Sequence, residues 1–80
     1  MSGRVQADRT LDCIGLYCPE PVFRTRQEID RMDAGQVLEI IADDPAAEAD
    51  IQSLIRRTGQ KLIEIRREGS HIRFLIRKVK

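Results

Sequence analysis

The stretch 37–42, Val-Leu-Glu-Ile-Ile-Ala, constrains this chain more than any other, because only Glu39 interrupts its apolar side chains. A strand that is apolar on both faces belongs in the interior of a sheet, with a neighbour along each edge. A chain of 80 residues can build one core around such a strand and no more. Residues 1–80 are therefore read as a single domain, with 1–4 and 79–80 expected to fray.

The other segments supply the neighbours and the cover. In residues 5–12, Val5, Ala7, Arg9 and Leu11 alternate with Gln6, Asp8, Thr10 and Asp12, the pattern of a half-exposed strand. From Pro19 the period becomes helical, with Val22, Thr25, Ile29 and Met32 on one face. This helix is expected to end near Asp33, with Gly35 as a left-handed cap. Asp44 reads as the N-cap of a second helix and Pro45 as its first residue, where a missing N–H costs nothing. Ala47, Ile51, Leu54 and Ile55 form its buried stripe, and Gly59 closes it. Residues 61–67 and 72–79 alternate as strands, joined by the hairpin turn Glu68-Gly69-Ser70. The order βαβαββ predicts an α+β fold: a two-layer sandwich with a mixed four-stranded sheet and both helices on one face.

Composition removes several function classes. Aromatic residues make up 4% of the chain and Trp is absent, so platforms for stacking bases are missing. No apolar run approaches the ~20 residues of a membrane-spanning helix. The opening Met-Ser-Gly-Arg-Val-Gln lacks the apolar stretch of a signal peptide, which makes the cytoplasm the expected location. The net charge of +1 conceals a division. Residues 1–50 carry five basic and eleven acidic side chains, a balance of −6, whereas residues 51–80 carry nine and two, a balance of +7.

The two cysteines, Cys13 and Cys18, are too few for a disulfide scaffold, and in a reducing compartment they point to chemistry. Cys18 stands where the first helix begins, followed by Pro19 and Pro21 at what would be its first and third positions. Prolines are tolerated there because first-turn amides have no intrahelical acceptor, and their fixed angles stiffen the turn. Cys18 is then expected at the N-cap, which Ser, Asp or Asn would fill better. A helix N-terminus favours an anion, and thiols so placed have their pKa lowered from ~8.5 to roughly 3.5–7.5. Arg24 and Arg26 would add positive potential, and Glu20 would oppose it. The structural alternative is a small buried side chain at a helix start, with Leu16 and Tyr17 helping to cover it.

The run Asp12-x-x-Gly15-x-x-Cys18-Pro19-x-Pro21 resembles the signature of the TusA/SirA family of small sulfur carrier proteins. The resemblance continues through Arg24-Thr25-Arg26, Gly35, Asp43-Asp44-Pro45, Asp50-Ile51 and Gly59, over nearly the whole chain. It implies that Cys18 accepts a sulfane sulfur from a cysteine desulfurase or rhodanese, holds it as a persulfide, and passes it to a cysteine of an acceptor protein. Pro19, Pro21, Gly15, Asp12, Glu20, Arg24 and Arg26 would support it. In that family such relays serve tRNA thiolation, molybdenum cofactor maturation and sulfur oxidation. No cofactor, metal, membrane or stable nucleic-acid complex is expected, and the chain is expected to be a monomer. Cys13 reads as an inert strand-end side chain; as a resolving thiol its Cα would have to come within ~4.4–6.8 Å of that of Cys18.

Other classes fit less well. Cys13, Cys18 and His71 are too few and too oddly spaced for structural zinc, and His71 reads as a solvated turn residue. A thiol–disulfide oxidoreductase would use Cys-x-x-Cys. The main rival is an RNA-binding or regulatory module without persulfide chemistry, in which Arg56, Arg57, Arg66, Arg67, Arg73, Arg77, Lys78 and Lys80 form a phosphate-binding face. An intermediate reading makes the same face a dock for acidic proteins. Phe74, among apolar neighbours, is assigned to the core.

Overall fold

The computed structural model describes residues 6–17 and 19–80. Six elements follow in the expected order: β1 (Arg9–Cys13), α1 (Glu20–Asp30), β2 (Val37–Ala42), α2 (Pro45–Thr58), β3 (Lys61–Glu68) and β4 (His71–Arg77). The sheet order is β1-β2-β4-β3. β1 runs parallel to β2, while β4 is antiparallel to both β2 and β3. The apolar strand 37–42 is thus interior, with Leu11 beside Ile40 on one edge and Phe74 beside Ile40 on the other.

Alternation along the strands divides the sheet into a covered and an open face. Cys13, Leu38, Ile40, Ala42, Phe74 and Ile76 are buried against the helices, where Ile29, Ala47, Ile51 and Ile55 meet them. One core joins residues of both helices to the sheet, so the two helices share a face, and they also pack against each other. On the open face a chain of ion pairs runs across three strands. Arg73 bonds Glu39 at 3.2 Å and Glu68 at 2.6 Å, and Arg66 bonds Glu68 at 3.2 Å and Glu64 at 2.8 Å. The Arg73 hydrogen bond holds the Glu68 carboxyl below its ordinary pKa.

The second helix follows its sequence signals closely. Asp44 has extended backbone angles and its side chain accepts from the Ala46 amide at 3.0 Å. Gly59 closes the helix at φ +76, and the buried residues are Ala47, Ile51, Leu54 and Ile55. Gly69, at φ +62, makes the turn between β3 and β4, and His71 is the exposed first residue of β4.

Three expectations need correction. The first strand spans Arg9–Cys13 rather than 5–12; Val5 lies outside the described residues, and Asp8 spends its side chain as well as its amide on Val37. The first helix ends at Asp30, with Arg31 as its C-cap. Gly35 has the expected positive φ, +95, yet it belongs to the turn into β2, where its amide donates to the Lys78 carbonyl at 2.7 Å. At the tail, the Gln60 side chain accepts from the Val79 amide at 2.8 Å and the Lys80 amide at 3.2 Å. Residues 1–4 lie outside the described part.

Candidate functional site

Cys18 lies outside the described residues, so the site is built from what stands on either side of it. On the near side β1 ends at Cys13 and a turn follows. The Ile14 amide donates to Asp12 Oδ1 at 2.9 Å, and the Leu16 amide to the Cys13 carbonyl at 3.1 Å. Between them Gly15 takes φ +80, a backbone angle that L side chains rarely adopt. Its amide donates to Asp43 Oδ1 at 3.0 Å, tying the turn to the segment that follows β2. Leu16 packs against the core, whereas Tyr17, considered above as cover for the cysteine, is 71% exposed.

On the far side the helix starts one residue later than expected. Pro19 is the N-cap, at φ −97 and ψ 11, and Glu20 is the first helical residue. Among the described residues no side chain caps this end. The Glu20 amide donates to the Tyr17 carbonyl at 2.8 Å, and the first helical bond runs from the Phe23 amide to the Pro19 carbonyl at 3.1 Å. Pro19 and Pro21 have no N–H, and that of Glu20 is engaged by the Tyr17 carbonyl. The double proline therefore thins the donors that give a helix start its positive character.

The charged residues around the junction arrange themselves in pairs. Glu20 and Arg24, expected to act on the thiol in opposite directions, are bonded to each other at 3.3 Å on the exposed side of α1. A pair so open to water contributes little to stability, ~0–1 kcal/mol. Arg26 is exposed and shares with Phe23, Gln27 and Asp30 an open depression on the outer face of α1. A second groove, on the inner side, is lined by Pro19, Val22, Asp50, Ser53 and Arg57. Thr25 is fully buried and its hydroxyl donates to the Pro21 carbonyl at 2.7 Å, fixing the first turn from within.

Cys13 is fully buried at the end of β1. Burial pushes its thiol above the ordinary value of 9.0, Asp12 pushes the same way, and Arg24 opposes both. Such a thiol stays protonated and is a poor nucleophile at neutral pH.

Folding also redistributes the basic C-terminal part. Arg66 and Arg73 belong to the ion-pair chain on the open sheet face, Arg67 pairs with Glu48 of α2, and Arg9 of β1 pairs with Glu28 of α1. Lys78 is turned inward, its Nζ donating to the Ile29 and Met32 carbonyls. Arg57 comes to the groove beside Pro19. Three features of this neighbourhood were not assigned a role from sequence: the bond from Asp43 to Gly15, the approach of Arg57 to Pro19, and the exposure of Phe23 at 57%. All depend on contacts or exposure that local patterns do not encode; the adjacent Asp43 and Asp44 were the only hint.

Among the described residues no helix is long and apolar enough to cross a membrane. A family model described as "Sulfurtransferase TusA" matches residues 9–78. A protein of Archaeoglobus fulgidus named "Putative sulfur carrier protein" is 49% identical over 73 residues, covering 90% of this chain and 95% of that one. The "Sulfur carrier protein TusA" of Allochromatium vinosum is 41% identical over 71 residues, covering 89% and 93%. The crystal structure of a SirA-like protein from Desulfitobacterium hafniense superimposes with a TM-score of 0.78 at 23% identity. It covers 90% of this chain and 99% of its own, and it shares the two helices and the mixed four-stranded sheet.

Proposed function

Because the chain belongs to the TusA family of sulfurtransferases and its relatives are sulfur carriers, we propose that it carries sulfur as a persulfide on Cys18. The observation that carries this reading is the family match over residues 9–78, which spans Cys18-Pro19-Glu20-Pro21. In the reaction, the Cys18 thiolate attacks the outer sulfur of a donor protein's persulfide. The donor's S–S bond breaks, its cysteine leaves as thiolate, and the transferred sulfur keeps its proton as Cys18–S–SH. The step needs no oxidant or reductant, and repeating it with an acceptor cysteine delivers the sulfur.

The surroundings suit this role. The junction is flanked by exposed Tyr17, Pro19 and Glu20 and by shallow open grooves, so a partner protein can bring its own cysteine to the surface. Donor and acceptor would be a cysteine desulfurase or rhodanese and a cysteine-bearing acceptor, encountered in the cytoplasm by a monomeric carrier. Asp12 and Gly15 shape the approach to Cys18, Pro19 and Pro21 stiffen its exit, and Glu20, Arg24 and Arg26 face the partner. Cys13 belongs to the core in this reading and does not resolve the persulfide.

Incubation with a cysteine desulfurase and cysteine, followed by mass spectrometry, tests it. One added sulfur atom on Cys18, lost in Cys18→Ser and kept in Cys13→Ala, is the expected result. A Cys18 that iodoacetamide alkylates readily but that takes no sulfur from either a desulfurase or a rhodanese would overturn it.

A further inference from the structure

Two adjacent carboxylates leave the end of β2 with different tasks. Asp44 serves the helix ahead of it, accepting from the Ala46 amide at 3.0 Å. Asp43 reaches back 28 residues and accepts from the Gly15 amide at 3.0 Å. The amides on either side of Gly15 are satisfied locally, by Asp12 and by the Cys13 carbonyl. Those two partners are the last residues of β1, which is paired with β2, and they fix the start of the turn. Among these three bonds, only the one from Asp43 ties the turn to a segment distant in the chain, the residue that follows β2. A Cβ at position 15 would meet nothing within 4 Å, so this position is not held by packing, while Leu16 beside it packs against the core.

We infer that Asp43 is a positioning residue for Cys18: its carboxylate latches the Gly15 turn, three residues before the cysteine, to the end of β2. The inference rests on the reading of Cys18 as the sulfur-bearing residue. It gives the two aspartates of Asp43-Asp44-Pro45 separate functions, one holding the loop and one starting α2. The latch acts through an oxygen acceptor at a fixed place rather than through charge on the thiol.

Asp43→Ala and Asp43→Asn separate these effects, since the Asn side chain keeps an oxygen where the carboxylate has one. In Asp43→Ala the Gly15 amide should exchange with solvent about tenfold faster, the scale of one lost hydrogen bond, while amides of α2 and of Phe74 are unchanged. The rates of Cys18 alkylation by iodoacetamide and of sulfur uptake from a desulfurase should shift from the parent values in Asp43→Ala. All three measures should return to near the parent values in Asp43→Asn. Gly15 exchange indifferent to Asp43→Ala overturns the latch, and so does a general rise in exchange across the molecule. An Asn variant that behaves like Ala overturns it in favour of a charge effect. A parent protein that takes no sulfur on Cys18, while Gly15 exchange and Cys18 alkylation respond as stated, overturns the carrier reading and supports the latch.

Discussion

Lys78, just beyond β4, donates from its Nζ to the carbonyl of Ile29 in the last turn of α1 at 2.7 Å. It bonds the Met32 carbonyl at the same distance, and its backbone is tied to Gln36 and Gly35. A cation at a helix C-terminus satisfies carbonyls that have no intrahelical donor and offsets the negative end of the helix. Replacing it with Met keeps the aliphatic stem and removes these bonds. Lys78→Met should lower stability by about 1–3 kcal/mol, the range for hydrogen bonds from a charged donor. Urea denaturation checks this as a lower midpoint at unchanged m; an unchanged midpoint would show that the ammonium adds nothing.

Gly15 is required for its angle and not for space. At φ +80 with no neighbour within reach, Gly15→Ala meets no steric obstacle beyond its own backbone. The cost should be ~1–2 kcal/mol, the penalty of a left-handed L residue. Gly15→Asn should lose less, because Asn tolerates that region better. Equal losses for the two would point to a cause other than the backbone angle.

Cys13 gives the protein an alkaline limit with a definite sign. Its folded pKa lies above the unfolded value, so the folded state keeps a proton that the unfolded chain releases. The stability is fully present below the ordinary value of 9.0 and falls as pH rises past it. Denaturation curves between about pH 7 and about pH 10 should show this decline, and Cys13→Ala should flatten it. The same burial predicts that iodoacetamide labels Cys13 only after unfolding. A parallel pH dependence in Cys13→Ala would assign the decline to other groups.

The basic residues of the C-terminal part should not make a nucleic-acid-binding protein. With Arg66, Arg67 and Arg73 paired to glutamates and Lys78 turned onto carbonyls, the phosphate-binding face suggested by the sequence is broken up. Fluorescence anisotropy with tRNA at physiological salt should find binding no tighter than the roughly 10⁻⁴–10⁻⁶ M of non-specific contacts. Nanomolar binding that persists in Cys18→Ala would restore the rival function.

How much could be read from the sequence depended on how local each signal was. The second helix was legible to the residue, because Asp44, Pro45 and Gly59 act on their immediate neighbours and the buried stripe follows from helical spacing. The first helix was legible as an element but displaced at both ends. Two prolines two residues apart are both compatible with a helix start, and Gly35 signals a left-handed residue without saying which turn needs it. Strand order was not legible, since nothing local says that β4 enters between β2 and β3. The charge division along the chain did not become a division of the surface, because ion pairs such as Glu39–Arg73 and Glu48–Arg67 join the two parts. At the site, the residue types around Cys18 were plain, whereas the Asp43 contact spans 28 residues and appears only in three dimensions.

The position of β4 has a consequence for how the protein is made. The last strand along the chain is an interior strand of the sheet, and it contributes Phe74 and Ile76 to the core. During vectorial synthesis, β2 and β3 therefore leave the ribosome without the partner that both require. Helices and the β1–β2 pair can begin to form, but the sheet closes only when residues 71–77 emerge. Folding is thereby delayed until residues 71–77 are available, and nascent chains stopped at residue 70 should remain protease-sensitive with exposed apolar edges.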